Sequence, residues 1–147
     1  MCGRPDANPS TLNRRFKVTD DGVEVHFKAD KRQAGYEGIV HGGIIAALLD
    51  ETIGWAVAVE RKKFFVTGEL TVRFLRPLPL DLDVTVRGRS VEHKSRYSIA
   101  KGEIVDADGL VYAKASGKFF LMKDSDAHKV NDYLTYQDND LNVLAAT

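Results

Sequence analysis

Ile44-Ile45-Ala46-Ala47-Leu48-Leu49-Asp50-Glu51-Thr52-Ile53-Gly54-Trp55-Ala56-Val57-Ala58-Val59 is the most apolar segment of the chain. It predicts one long helix from Ile44 to about Glu60, apolar on nearly every side, and a helix of that kind is expected to be buried all round. Working outward, Phe16 and Val18, then Val23, Val25 and Phe27, alternate with polar neighbours around Asp20-Asp21-Gly22, the pattern of a hairpin. Between hairpin and helix runs a Gly- and charge-rich loop, Ala29 to Gly38, ending in Ile39-Val40-His41-Gly42-Gly43. After the helix the chain reads as strands: Phe64 to Phe74 with Leu70, Val72 and Phe74 on one face, Leu82 to Val91, Tyr97 to Val105, and Gly109 to Leu121. Asp106-Ala107-Asp108-Gly109 is the turn between the last two. One buried helix and an antiparallel meander make an α+β fold whose sheet must wrap the helix.

The chain of 147 residues accommodates one domain, read as an N-terminal arm (1–13), a folded unit (14–122) and a C-terminal tail (123–147) that is either a docked short helix or a loose terminus. Lys and Arg number 21 and Asp and Glu 21, so no net field draws in nucleic acid or an anionic membrane, and an anionic ligand needs a local patch. The one cysteine, Cys2, leaves no internal disulfide, no metal cluster and no cysteine-centred nucleophilic site. The uninterrupted apolar runs are shorter than the roughly 20 residues of a membrane span, and no signal-peptide pattern opens the chain, so the expected compartment is the cytoplasm.

Two carboxylates, Asp50 and Glu51, stand in the middle of the most apolar segment, where an unpartnered charge is expensive. On a helix turning about 100° per residue, Asp50 shares a face with Gly43, Ala46, Ala47, Ile53 and Gly54, mostly small side chains that leave room for a ligand or a partner backbone. Glu51 points elsewhere, and a salt bridge or helix-end contact is its plain reading. His41-Gly42-Gly43 leaves the first helix N–H groups open to an oxyanion, with Asp50 two turns further on; the same triplet reads equally as a tight turn and helix cap. Thr67, on the following strand, is either a water-orienting hydroxyl or an ordinary strand former.

His41-Gly42-Gly43, Asp50 nine residues after the histidine, Thr67, and Arg76-Pro77-Leu78-Pro79 together resemble the hotdog-fold acyl-CoA thioesterases of the phenylacetic-acid-pathway and thioesterase-superfamily type, over roughly Gly35 to Phe120. The resemblance implies a hotdog fold, catalysis by Asp50 as general base or nucleophile, and a Gly42 N–H polarising the thioester carbonyl in a pocket shaped by His41 and Gly43. It implies a hydroxyl matching Thr67 supplied by the neighbouring subunit of a homodimer or homotetramer, so that the active site lies at the subunit interface. It also implies CoA phosphates met by basic residues; Lys94 and Arg96 are the candidates, with Arg87 and Arg89 close in sequence. Ile39, Trp55 and Phe74 are candidates for lining an acyl pocket. No cofactor and no metal are implied.

Two features depart from the pattern. Some relatives carry Asn six residues before the histidine, where Gly35 stands here, and Cys2-Gly3 with Asn8-Pro9 resembles an N-terminal motif that suggests a start further upstream. Two other classes compete: a non-catalytic acyl-CoA-binding module, which a buried anion beside an anionic ligand argues against, and a dehydratase or hydratase pairing His41 with Asp50. His26, His93 and His128 are assigned no role.

Overall fold

The computed structural model describes residues 5–145, so Cys2 and Gly3 lie outside the described residues. Six strands form one antiparallel sheet: β1 (Lys17–Thr19), β2 (Gly22–Lys28), β3 (Phe65–Phe74), β4 (Asp83–His93), β5 (Tyr97–Asp106) and β6 (Val111–Leu121), in the order β1-β2-β4-β5-β6-β3. Helix α1 (Gly42–Arg61) precedes β3, and α2 (Asp124–Tyr133) follows β6. The expected elements are all present, and α1 runs two residues earlier than its apolar stretch because Gly42 and Gly43 join its first turn.

The sheet curls over α1, which packs against β2 through β6. Gly88 and Gly102 face each other across β4 and β5. A Cβ on Gly88 would stand 2.8 Å from the Thr52 carbonyl oxygen, and one on Gly102 2.6 Å from the Ile53 side chain, so glycine at both lets the sheet lie directly on the helix. Val25, Phe27, Val84, Val86, Ile104 and Phe119 close the core around Leu48, Leu49 and Ile53. This helix is long and apolar enough to cross a membrane by length and composition, a property that the core helix of such a sheet shares.

The expectation that α1 is buried all round is corrected. Ile45, Leu48, Leu49, Thr52, Ile53, Ala56 and Val57 form a buried stripe with the 3-4 spacing of one helix face. Gly43 is exposed, and Ala46, Ala47, Asp50, Glu51 and Gly54 are half-buried, because one sheet covers only one side of a cylinder. Ile53, expected beside Asp50, is fully buried on the stripe.

The tail is a docked helix. Ala127 and Val143 are buried with Ala58 and Phe64, and Trp55, Val130 and Leu134 pack around them, so the tail caps the C-terminal half of α1 with a second small core. An Arg15–Asp140 ion pair ties it to the arm.

Candidate active site

Asp50 Oδ1 accepts a 2.8 Å hydrogen bond from the Thr67 hydroxyl, and no other hydrogen bond to this carboxylate exists among the described residues. The carboxylate is half-buried on the small-residue side of α1, where a second oxygen remains for chemistry. Thr67 reaches it because β3 carries a bulge. Thr67 pairs with Phe119 and Glu69 with Lys118, which leaves Gly68 as an extra residue. Simple alternation backward from Phe74, Val72 and Leu70 puts Thr67 on the outer face; the added residue inverts the parity and turns its hydroxyl toward the helix. The ring of Phe120 lies where a Gly68 side chain would be, 2.4 Å from an ideal Cβ.

At the start of α1, His41 is the N-cap: its backbone is extended, and its Nδ1 accepts the Gly43 N–H at 2.8 Å. Because Nδ1 is the acceptor, the neutral ring carries its proton on Nε2. A Cβ on Gly43 would come within 2.9 Å of that Nδ1, so the glycine there makes room for the cap. The Gly43 amide is therefore occupied and does not serve a ligand in this arrangement. The Gly42 N–H is the first of the helix and has no acceptor among the hydrogen bonds of the described residues. Phe74 lies beside Gly42, with ring atoms 3.4 and 3.5 Å from where its Cβ would be. Gly35 backs onto the cap, since an ideal Cβ there would be 2.9 Å from His41 Cα; the relatives' asparagine would not fit this loop without displacing His41.

One thioester carbonyl does not reach both Gly42 and Asp50 of a single chain. The helix is continuous between them. Eight residues at 1.5 Å each separate them by about 12 Å along the axis, whereas one carbonyl needs both groups within roughly hydrogen-bonding distance. Conversely, the Thr67–Asp50 contact assigned to a neighbouring subunit is made within one chain.

Among the other expected residues, Lys94 and Arg96 lie on the β4–β5 turn beside the C-terminal end of α1, where Arg61 donates to the Lys94 carbonyl at 3.3 Å. The Thr67 row crosses Phe119 and Ser98, so Arg96 is two residues beyond it on the same end of the sheet. Lys94 pairs with Glu92 at 3.0 Å, which raises its pKa. Arg87 and Arg89 project from the opposite face, where they line a groove. Of the acyl-pocket candidates, Ile39 and Phe74 lie near the start of α1, but Trp55 stacks between Phe16 and Phe64 under the tail. Gly54 is explained by the 3.3 Å approach of Phe119, an intramolecular contact and not space for a ligand.

Sequence reasoning passed over His93. Its Nε2 lies 2.8 Å from Glu60 and its Nδ1 3.2 Å from the buried Ser98 hydroxyl, pinning the end of α1 to the sheet. His26 lies 3.3 Å from the Thr85 hydroxyl. Asp30 caps the turn Lys31–Gln33 in the loop leading to His41, and its hydrogen bonds with Arg32 hold its carboxyl down at about 2.

A family model described as thioesterase superfamily matches residues 37–113, which include the cap, Asp50 and the Thr67 bulge. This chain belongs to the thioesterase superfamily. It is 33% identical over 102 residues to a protein of Saccharolobus solfataricus provisionally named an esterase, covering 69% of this chain and 71% of that one. Among solved structures, a thioesterase superfamily protein superposes with TM-score 0.70 at 31% identity over 75% of this chain and 54% of that one, so this chain spans about half of that neighbour's length. A hypothetical thioesterase from Streptococcus pneumoniae TIGR4, solved with coenzyme A, superposes with TM-score 0.69 at 25% identity over 76% of this chain and 90% of that one. The thioesterase superfamily fold is the hotdog, a sheet wrapped on one long helix, as here.

Proposed function

We propose that this thioesterase superfamily chain hydrolyses an acyl-CoA to the free acid and CoA, in the cytoplasm, as a homodimer or a homotetramer built from such dimers. The observation that carries the reading is the half-open Asp50 carboxylate, held on one oxygen by Thr67 and free on the other, on a helix face lined with small residues.

In the water route, Asp50 takes a proton from water as the water oxygen bonds to the thioester carbon. The oxyanion forms, the C–S bond breaks, and the CoA thiolate recovers the proton. In the alternative, the same free oxygen attacks the carbon directly, the C–S bond breaks to release CoA thiolate, and water cleaves the resulting mixed anhydride to the acid and the regenerated Asp50 carboxylate, with a water proton passing to the thiolate. Either needs a donor for the oxyanion that Asp50's own chain holds about 12 Å away, given 1.5 Å of rise per residue. A second copy with its α1 antiparallel to the first brings its free Gly42 N–H opposite Asp50, and the open edge of β3, with Val66 48% and Phe74 56% exposed, is the strand such a partner would extend. The CoA phosphates then meet Arg96, which has no ion pair among the described residues, more readily than Lys94 with its Glu92 partner.

The test is release of free thiol from short, medium, long and aromatic acyl-CoAs, with Asp50→Asn protein alongside. Asparagine keeps the acceptor for Thr67 but neither takes a proton nor attacks, so turnover is expected to fall at least 100-fold with CoA affinity retained. Equal turnover in the variant overturns the assignment, and wild-type protein that binds acyl-CoA without releasing thiol makes it a binding module.

A further inference from the structure

The outer face of the sheet, turned away from α1, carries a groove of about 730 Å³ whose walls include Arg73, Arg87, Arg89, Lys101 and Lys114. Strand register explains why they converge. One row runs Arg87–Glu103–Lys114–Arg73 across β4, β5, β6 and β3, and the next, two residues along each strand, runs Arg89–Lys101–Ser116–Thr71. Two pairs of like charge therefore stand directly opposite each other on adjacent strands: Arg89 with Lys101, and Lys114 with Arg73. Like charges in that position cost stability, and a sheet usually places opposite signs there.

Three carboxylates share the walls of the groove. Glu24 stands opposite Arg87 and lies 3.9 Å from Lys17, Glu103 stands between Arg87 and Lys114, and Asp21 belongs to the β1–β2 turn, so Glu24 and Glu103 serve the first row and the Arg89–Lys101 row has no acid. Among the described residues none of the five cations forms an ion pair. From strand spacings of about 4.8 Å and an i to i+2 step of about 6.7 Å, the two pairs are centred about 12 Å apart, with the Ser116 and Thr71 hydroxyls beside them. Flexible Arg and Lys side chains close that gap around an extended anion but have nothing comparable to offer a single monovalent ion.

We propose that this outer-face groove is a binding site for an oligophosphate group, separate from the Asp50 site, with Arg89 and Lys101 gripping one end of the phosphate chain and Lys114 and Arg73 the other. The site lies across the sheet from α1, so it does not depend on the catalytic reading. Phosphate oxygens supply the negative charge that the Arg89–Lys101 row lacks and add to Glu103 beside Lys114, and their binding relieves the repulsion within each pair.

Calorimetric titration of the full chain with inorganic tripolyphosphate and with ATP, at low ionic strength, tests this. The comparison proteins are Arg89→Ala/Lys101→Ala and, as a control on exposed lysines that belong to neither site, Lys63→Ala/Lys129→Ala. Wild type and control are expected to bind tripolyphosphate alike, with the Arg89/Lys101 variant at least tenfold weaker and its salt dependence shallower. The unliganded Arg89/Lys101 variant is expected to melt no lower than wild type, since a repulsive pair has gone. ATP binding equal to tripolyphosphate assigns the site to the phosphate chain alone; ATP binding more than tenfold tighter assigns it to nucleotides. The proposal fails if the Arg89/Lys101 variant binds like wild type, if wild type shows no binding at millimolar tripolyphosphate, or if only the control loses binding. A change in molecular mass for the Arg89/Lys101 variant in light scattering also overturns it, by making the groove an interface between copies.

Discussion

Asp50 and Thr67 show how little of a candidate site resides in any one side chain. The carboxylate is tolerable in an apolar helix because it sits on the side the sheet leaves open and because one oxygen has a donor at 2.8 Å. Removing that donor while keeping its shape, as in Thr67→Val, frees Asp50 to rotate. A hydrogen bond to a charged group is worth about 1.5–3 kcal/mol, so kcat is expected to drop roughly ten- to hundredfold with KM held and the melting temperature to fall by a few degrees. Steady-state kinetics on the best acyl-CoA check this; an equal rise in KM with unchanged kcat would make Thr67 a binding residue instead. His41 carries the opposite lesson. Its imidazole is committed to the Gly43 amide, so both readings of His-Gly-Gly meet at one residue: it is a helix cap, and by capping it leaves the Gly42 N–H as the open donor.

Among the elements, β3 does the most to assemble the site, through one inserted residue. Gly68 is accommodated by the Phe120 ring, which lies 2.4 Å from an ideal Cβ, and the resulting bulge aims Thr67 inward while Leu70 and Val72 still face the core. In Gly68→Ala the new methyl must displace that ring, and the strain falls on the bulge. The expected outcome is about a tenfold loss of kcat, equivalent to about 1.4 kcal/mol, with the fold intact because Phe120 is partly exposed and can swing. Adding Phe120→Ala should restore most of the activity; a double variant as impaired as Gly68→Ala alone would show that the ring is not the cause. Helix α1 and most strands were legible from alternation and from the 3.6-residue period. The bulge was not, because a single extra residue leaves the hydrophobic pattern on each side of it in order and changes only their relative phase.

For the molecule as a whole, the tail and the open side of α1 matter most. Residues from Asp124 onward bury Ala58 and Phe64 and pack on Trp55. Ending the chain after Lys123 exposes that cluster, at a cost on the order of 2–3 kcal/mol, which should lower the melting temperature by about 5–10 °C. An unchanged melting curve would mean that the tail does not dock as described. Thiol release should survive in the truncated protein at temperatures below its transition, since the tail covers the end of α1 opposite to His41.

Element order, the central helix and Asp50 on a face of mostly small residues follow from the residues alone, because hydrophobic period, glycine position and turn chemistry are local and are written residue by residue. It takes the packed chain to bring Thr67 to Asp50, to seat the His41 cap on the Gly43 amide, and to set Gly54 against Phe119 and Trp55 under the tail. Those outcomes depend on strand register, on which helix side the sheet covers and on distances through space, and such relations between distant residues leave no trace in local pattern.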